Sequence, residues 1–113
     1  KNEGVEWGEE VDLVELPWAW HLDDFPWFEY IPPQGGNLTA PSAVLETWLG
    51  DLDWALAHEP GGVLTYTMHP QVIGRGNRML MLEQLLDEVE KRGVGFTTLE
   101  DAATNWRAAH PFA

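Results

Sequence analysis

The chain has no cysteine, which excludes disulfides, zinc–thiolate sites and cysteine nucleophiles. It is also poor in bases: six lysines and arginines stand against 19 acids, for a formal net charge of −13. Nucleic-acid binding needs a basic surface, so nucleic acid is not an expected partner. An anionic membrane surface is disfavoured for the same reason. Long apolar runs are missing too, and none of those present could cross a bilayer. No signal-peptide pattern is found: the first ten residues, "KNEGVEWGEE", are polar and acidic, which leaves the compartment open and tilts it towards the cytoplasm.

What is there is a chain of 113 residues, enough for one small domain and a modest core. Hydrophobic residues make up 44% and charged residues 22%, a globular balance. Charge is uneven. Residues 1–59 hold 13 acids and one lysine, whereas residues 60–113 hold six acids and five bases. The acidic half reads as a solvated surface. Seven tryptophans are several times the usual share. Aromatics fill cores, but flat rings also stack on sugars in grooves. Trp27, Phe28 and Tyr30 are the groove candidates, because proline breaks up their segment.

Residues 11–16, "VDLVEL", alternate apolar and acidic as a strand does, and Pro17 ends them. Residues 17–37 carry four prolines and two glycines, which predicts a long structured loop. A helix is expected over 41–58, capped by Thr39 or Ser42, with Leu45, Trp48, Leu49, Leu52 and Leu56 on one face. Residues 63–68, "VLTYTM", predict a second strand. After the turn "IGRGN" a helix is expected over 77–92, with Met79, Leu82, Leu85, Leu86 and Val89 inward and Gly93 just past its end. Residues 94–98 suit a third short strand. A last helix over 99–108 would start at a Thr98–Asp101 capping arrangement and bury Leu99, Ala102, Ala103 and Trp106.

This alternation argues for an α/β fold with about three parallel strands and helices outside. Active groups in such folds sit at the carboxyl ends of strands. His69 ends the second predicted strand, and Asp23 and Asp24 follow the first, so parallel pairing would place them on one rim. His69 then admits two readings, a general acid or base and a hydrogen-bonded strand end. An aspartate bound to it would fix its tautomer and favour its protonated form. Three strands alone leave open edges, so the fold is expected to be incomplete on its own, completed by another segment or by partner subunits.

Other constellations are weaker. His21, Asp23 and Asp24 have ligand-type side chains, and His58 precedes Glu59, but no HxxxH or HExxH pattern occurs. No metal site is therefore expected within this chain. Arg75 and Arg78 flank a glycine in "GRGNR"; they are expected to tie the turn to loop carboxylates rather than to hold an anion. "NLT" at 37–39 fits a glycosylation pattern that is common by chance.

The blocks "VELPWAWHLDDFPWF", "LTYTMHPQVIGRGNRMLMLEQLL" and "VGFTTLEDAA" together resemble the C-terminal half of the polysaccharide deacetylase family. The similarity is greatest to the branch with peptidoglycan-deacetylase-like and allantoinase-like enzymes, and covers roughly residues 10–108. It implies that residues 1–113 are the C-terminal portion of a distorted (β/α)7 barrel that hydrolyses the C–N bond of an N-acetylated amino sugar or a related amide. It also implies a divalent, zinc-like metal in the whole enzyme, held by a half that this chain lacks, since the family's "TFDDG"-like and HxxxH blocks are absent. That missing half is the implied partner, alongside a carbohydrate or small amide substrate and a homo-oligomer. Residue by residue, His69 matches the general acid and Asp24, or less closely Asp23, the aspartate that orients it. Leu64 and Met68 match positions near the acyl pocket, Trp27 a groove aromatic, and Arg75 and Arg78 recurrent structural arginines. The alternative is a non-catalytic carbohydrate-binding or interaction domain that uses the tryptophan-rich loop.

Overall fold

The computed structural model describes residues 8–112; most of the polar N-terminal stretch weighed against a signal peptide lies outside them. The chain divides into two compact units, one of Pro17–Phe96 and one of the flanking segments up to Leu16 and from Thr97.

In the larger unit the elements run in order: a 3-10 turn at Trp20–Leu22, helix α1 (Phe25–Phe28), strands β1 (Tyr30–Ile31) and β2 (Gly35–Gly36), then helices α2 (Pro41–His58), α3 (Pro70–Ile73) and α4 (Gly76–Lys91). The strands form one antiparallel hairpin, with Tyr30 opposite Gly36. Gly36 is required there, because a Cβ at this position would lie 2.2 Å from the Glu29 carbonyl oxygen.

The two long helices match the sequence expectation in place and length, and they pack on one another. Pro41 opens α2 from N1, where its missing N–H costs nothing. Ala40 occupies the cap position, so neither Thr39 nor Ser42 serves as the cap. α4 ends in a Schellman motif. Gly93 has φ +69°, its N–H reaches the Glu90 carbonyl at 2.9 Å, and the Val94 N–H reaches that of Val89 at 3.3 Å. Arg92 joins the helices by salt bridges from its guanidinium to Asp53 of α2 and Glu88 of α4.

The core is built from Val44, Trp48 and Leu52 of α2, Met81, Leu85 and Val89 of α4, and Leu22, Phe28, Val72 and Ile73. Each helix buries an i, i+4, i+8 stripe that keeps Trp48, Leu52, Leu85 and Val89 of the expected face, with Leu45, Leu49 and Leu82 partly buried beside it, and adds Val44 and Met81. Leu56, Met79 and Leu86 are exposed instead, because only the row facing the other helix loses its water. Phe28 belongs to this core and not to a groove.

The three predicted parallel strands are not formed, and no barrel is seen among the described residues. Residues 11–16 and 94–98 have no ladder partner. In 63–68, Leu64, Tyr66 and Met68 alternate onto the core as a strand would, yet the one ladder contact is a parallel bridge between Thr67 and Asp23. A strand needs a neighbour, and β propensity reports only fitness for a pleated, half-buried surface.

In the smaller unit, helix α5 (Leu99–Ala109) starts as expected: the Thr98 hydroxyl accepts the Asp101 N–H at 3.1 Å and donates to its carboxylate at 2.8 Å. Ala102 is buried, whereas Leu99 and Trp106 are exposed, contrary to expectation. Arg107 donates to the Asp12 carbonyl at 2.8 Å.

The buried stripe can be tested on α4. Leu85 is 1% exposed and its neighbour Leu86 43%. Leu85→Ala should cost about 2–5 kcal/mol and Leu86→Ala about 0.5 kcal/mol, read from urea unfolding midpoints. Equal losses would show that the predicted face is the buried one.

Candidate active site

The chain turns sharply twice to build the site. In the first turn the 3-10 turn hands over to α1, and Asp23 and Asp24 sit between them. The Asp23 carboxylate accepts the Phe25 N–H at 2.8 Å, an aspartate-stabilised turn. In the second, Thr67 and His69 lead into α3, with Pro70 pre-set for a first helical turn. The bridge joins the two turns: the Asp24 N–H reaches the Thr67 carbonyl at 3.0 Å, and the Thr67 N–H reaches that of Leu22 at 2.9 Å. This parallel bridge is made by Asp23, past the end of the predicted first strand 11–16, which itself has no ladder partner.

Asp24 is fully buried and grips His69 twice. One carboxylate oxygen lies 2.7 Å from the ring Nδ1, and the other accepts the His69 backbone N–H at 3.0 Å. A carboxylate only accepts, so Nδ1 must carry the proton and Nε2 is left for other partners. Asp23, also buried, stands 3.8 Å from Nδ1. The hydrogen bond from Asp24 raises the imidazole pKa above the ordinary 6.5; burial opposes this, and the charges of both aspartates add to it. The His69 side chain is 37% exposed, and Phe25 meets its ring edge-on at 5.9 Å. The arrangement is a tautomer-fixed, partly exposed imidazole whose charged form carries a proton on Nε2.

Asp23, Asp24 and His69 place ligand-type atoms within 4.8 Å of one another. A metal needs a neutral imidazole nitrogen and open lone pairs. Here Nδ1 and the carboxylate oxygens facing it are engaged with one another and with backbone N–H groups. The inward atoms of the trio share a held proton and are not open to a metal, Nε2 makes no hydrogen bond among the described residues, and the resemblance places the divalent metal outside this chain. His21 is drawn away from the aspartates and pairs with Asp51 of α2.

Trp27 donates its indole N–H to the His21 carbonyl at 2.9 Å, and Trp48 donates to the same oxygen at 2.8 Å. Trp27 lines an open groove of about 260 Å³ with Trp20, His21, Pro26 and Asn37. Tyr30 lies exposed on the hairpin. Leu64 and Met68 are half-buried against the core. Between them Tyr66 stacks on Trp48 and donates to its carbonyl at 2.8 Å, and burial pushes its phenol up to about 12. Arg78 donates to the Val72 and Phe28 carbonyls at 2.7 and 2.9 Å and meets the Glu29 carboxylate, the structural role expected of it. The Arg75 side chain makes no hydrogen bond or ion pair among the described residues; its backbone carbonyl starts α4. Sequence reading missed the His21–Asp51 pair and the Phe25–His69 contact. Neither has a linear signal, since the partners are 30 and 44 positions apart.

The Asp24 bond sets a pH signature. A histidine with a raised folded pKa stabilises fully below pH 6.5 and loses that contribution as pH rises through the folded value. Asp24→Asn should therefore return the His69 titration towards 6.5, followed by imidazole NMR shifts. An unchanged titration would show that the carboxylate does not govern the ring.

No family model matches the chain. Over 107 residues it is 31% identical to a curated protein described as a peptidoglycan deacetylase from Helicobacter pylori (strain ATCC 700392 / 26695). The match takes in 92% of this chain and 36% of that protein, so the chain spans about a third of the length of its relative. The three motif blocks fall inside residues 14–103, and the identity extends across nearly the whole chain, which is consistent with a C-terminal part of a polysaccharide deacetylase.

Proposed function

We propose that this chain supplies the proton-donating side of an amidohydrolase site that deacetylates an N-acetylated amino sugar. The observation that carries the reading is the double grip of buried Asp24 on His69. In the reaction, water adds to the amide carbonyl, the C–N bond breaks, and the amine leaves with a proton while the acyl group departs as acetate. His69 gives that proton from Nε2 of its charged ring; Asp24 holds Nδ1–H and favours the charged form. Asp23 adds negative charge beside the imidazolium. Trp27 and Trp20 offer flat faces for the sugar, and Leu64 and Met68 an apolar surface for the acyl methyl.

The groups that activate water, including the metal that family members use as Lewis acid, are proposed to come from residues outside this chain. Two observations support that. The relative is far longer than this chain. Residues 63–66 also make no backbone hydrogen bond among the described residues, and the buried Thr65 hydroxyl has no partner there, as a strand awaiting further sheet would. The complementary part, on the same or a separate chain, is the proposed partner.

A second reading, a carbohydrate-binding module, is favoured by the groove beside Trp20 and Trp27. Activity separates the two. In the complete enzyme, His69→Gln should lower kcat for acetate release from N-acetylglucosamine oligomers about a hundred- to ten-thousand-fold. Trp27→Ala should chiefly raise KM. Oligomer binding with no acetate released by the complete protein would favour the module, and turnover by the 113 residues alone would refute the dependence on outside groups.

A further inference from the structure

The site depends on two short helices that begin directly after its key residues. α1 follows Asp24 and α3 follows His69, and each is only four residues long. Helices of one turn have little stability of their own. Their upstream ends are joined by the Asp23–Thr67 bridge and the Asp24–His69 grip. Their downstream ends are joined by one side chain. Arg78, from the first turn of α4, donates Nη2 to the Phe28 carbonyl of α1 at 2.9 Å and Nη1 to the Val72 carbonyl of α3 at 2.7 Å. The same guanidinium lies over the Phe28 ring, 4.8 Å from its centroid, and meets Glu29 at 3.4 Å. Its side chain is largely buried. A planar fork can span two carbonyls at fixed angles, which an ammonium cannot.

We infer that Arg78 is a positioning residue for the proton donor: its guanidinium clips α1 to α3 and so fixes the separation at which Asp24 holds His69. The inference rests on the general-acid reading of His69, although its first readout does not. Arg78 touches neither the imidazole nor the aspartates, so it acts through the two helices and not on the ring.

The test uses the complete enzyme. In the wild type the Nδ1 proton of His69, held by Asp24, should give a downfield proton resonance. Arg78→Lys keeps the charge and loses the fork. It should broaden or abolish that resonance and lower kcat about tenfold with KM within about twofold. Glu29→Gln keeps the fork and should behave as the wild type. A resonance and kcat unchanged in Arg78→Lys overturn the proposal, and so does a Glu29→Gln variant that reproduces the loss, because charge pairing would then be the cause. Should Arg78→Lys fail to fold, hydrogen exchange in the wild type decides: the Arg78 guanidinium protons and the Asp24, Thr67 and His69 amides should open together, within about tenfold in protection. Guanidinium protons that exchange far faster overturn the clip. A wild type inactive on N-acetylated sugars would remove the general-acid reading, leaving the resonance to judge the clip by itself.

Discussion

A carboxylate with no access to water must find its hydrogen bonds inside the protein, and Asp24 finds them on a single residue, His69. Most of the local architecture follows from that requirement. The chain must turn at Asp23 so that Asp24 points inward, and the Phe25 N–H closes that turn on Asp23. It must turn again after His69, where Pro70 starts a helix and the backbone N–H of His69 faces the carboxylate. The imidazole is thereby held at both its ring and its main chain. In the proposed role as proton donor, a ring kept in one tautomer and one orientation would need no rearrangement.

The helix pair behind the site supplies the rigidity. Trp48 of α2 links the helix pair to the site: its ring packs in the core and against Tyr66, its carbonyl accepts the Tyr66 hydroxyl, and its indole N–H donates to the His21 carbonyl. The segments on either side of the Asp23–Thr67 bridge are thus both tied to one core residue. Arg92 and the Schellman turn at Gly93 finish the other end of the pair. Hydrogen bonds hold these charges there: Asp53 and Glu88 keep the Arg92 guanidinium more firmly protonated, Arg92 holds the Asp53 carboxyl low, and Lys91, then Arg92, holds that of Glu88 low.

Two of the three motif blocks that carry the resemblance form the Asp24 and His69 turns and the helix that bears Arg78. A trio of acids and histidine could be taken for a metal site on composition, yet its inward lone pairs are taken by protons. The chemistry proposed for it is proton transfer.

The long helices, their ends at Pro41 and Gly93 and the Thr98 start of α5 were legible in the amino-acid order, and the family resemblance named Asp24 and His69 as a pair. The first three rest on short-range rules: helical spacing, the fixed φ of proline and the left-handed freedom of glycine. The strands were not legible, because a run such as "VLTYTM" states only that its side chains alternate; a ladder also needs a neighbouring backbone. Nor was the limit of each helix's buried face, which left Leu86 in water and put Met81 in the core. Periodicity marks a stripe, and the partner that packs on it chooses its centre. By itself, then, the sequence determined which residues could carry the chemistry and which segments would be helical. Only tertiary structure decided that Asp24 would be buried against His69, that His21 would be drawn away to Asp51, and that Arg78 would span two carbonyls. Those outcomes depend on distances between segments 30 to 50 residues apart, which packing sets and local propensity does not.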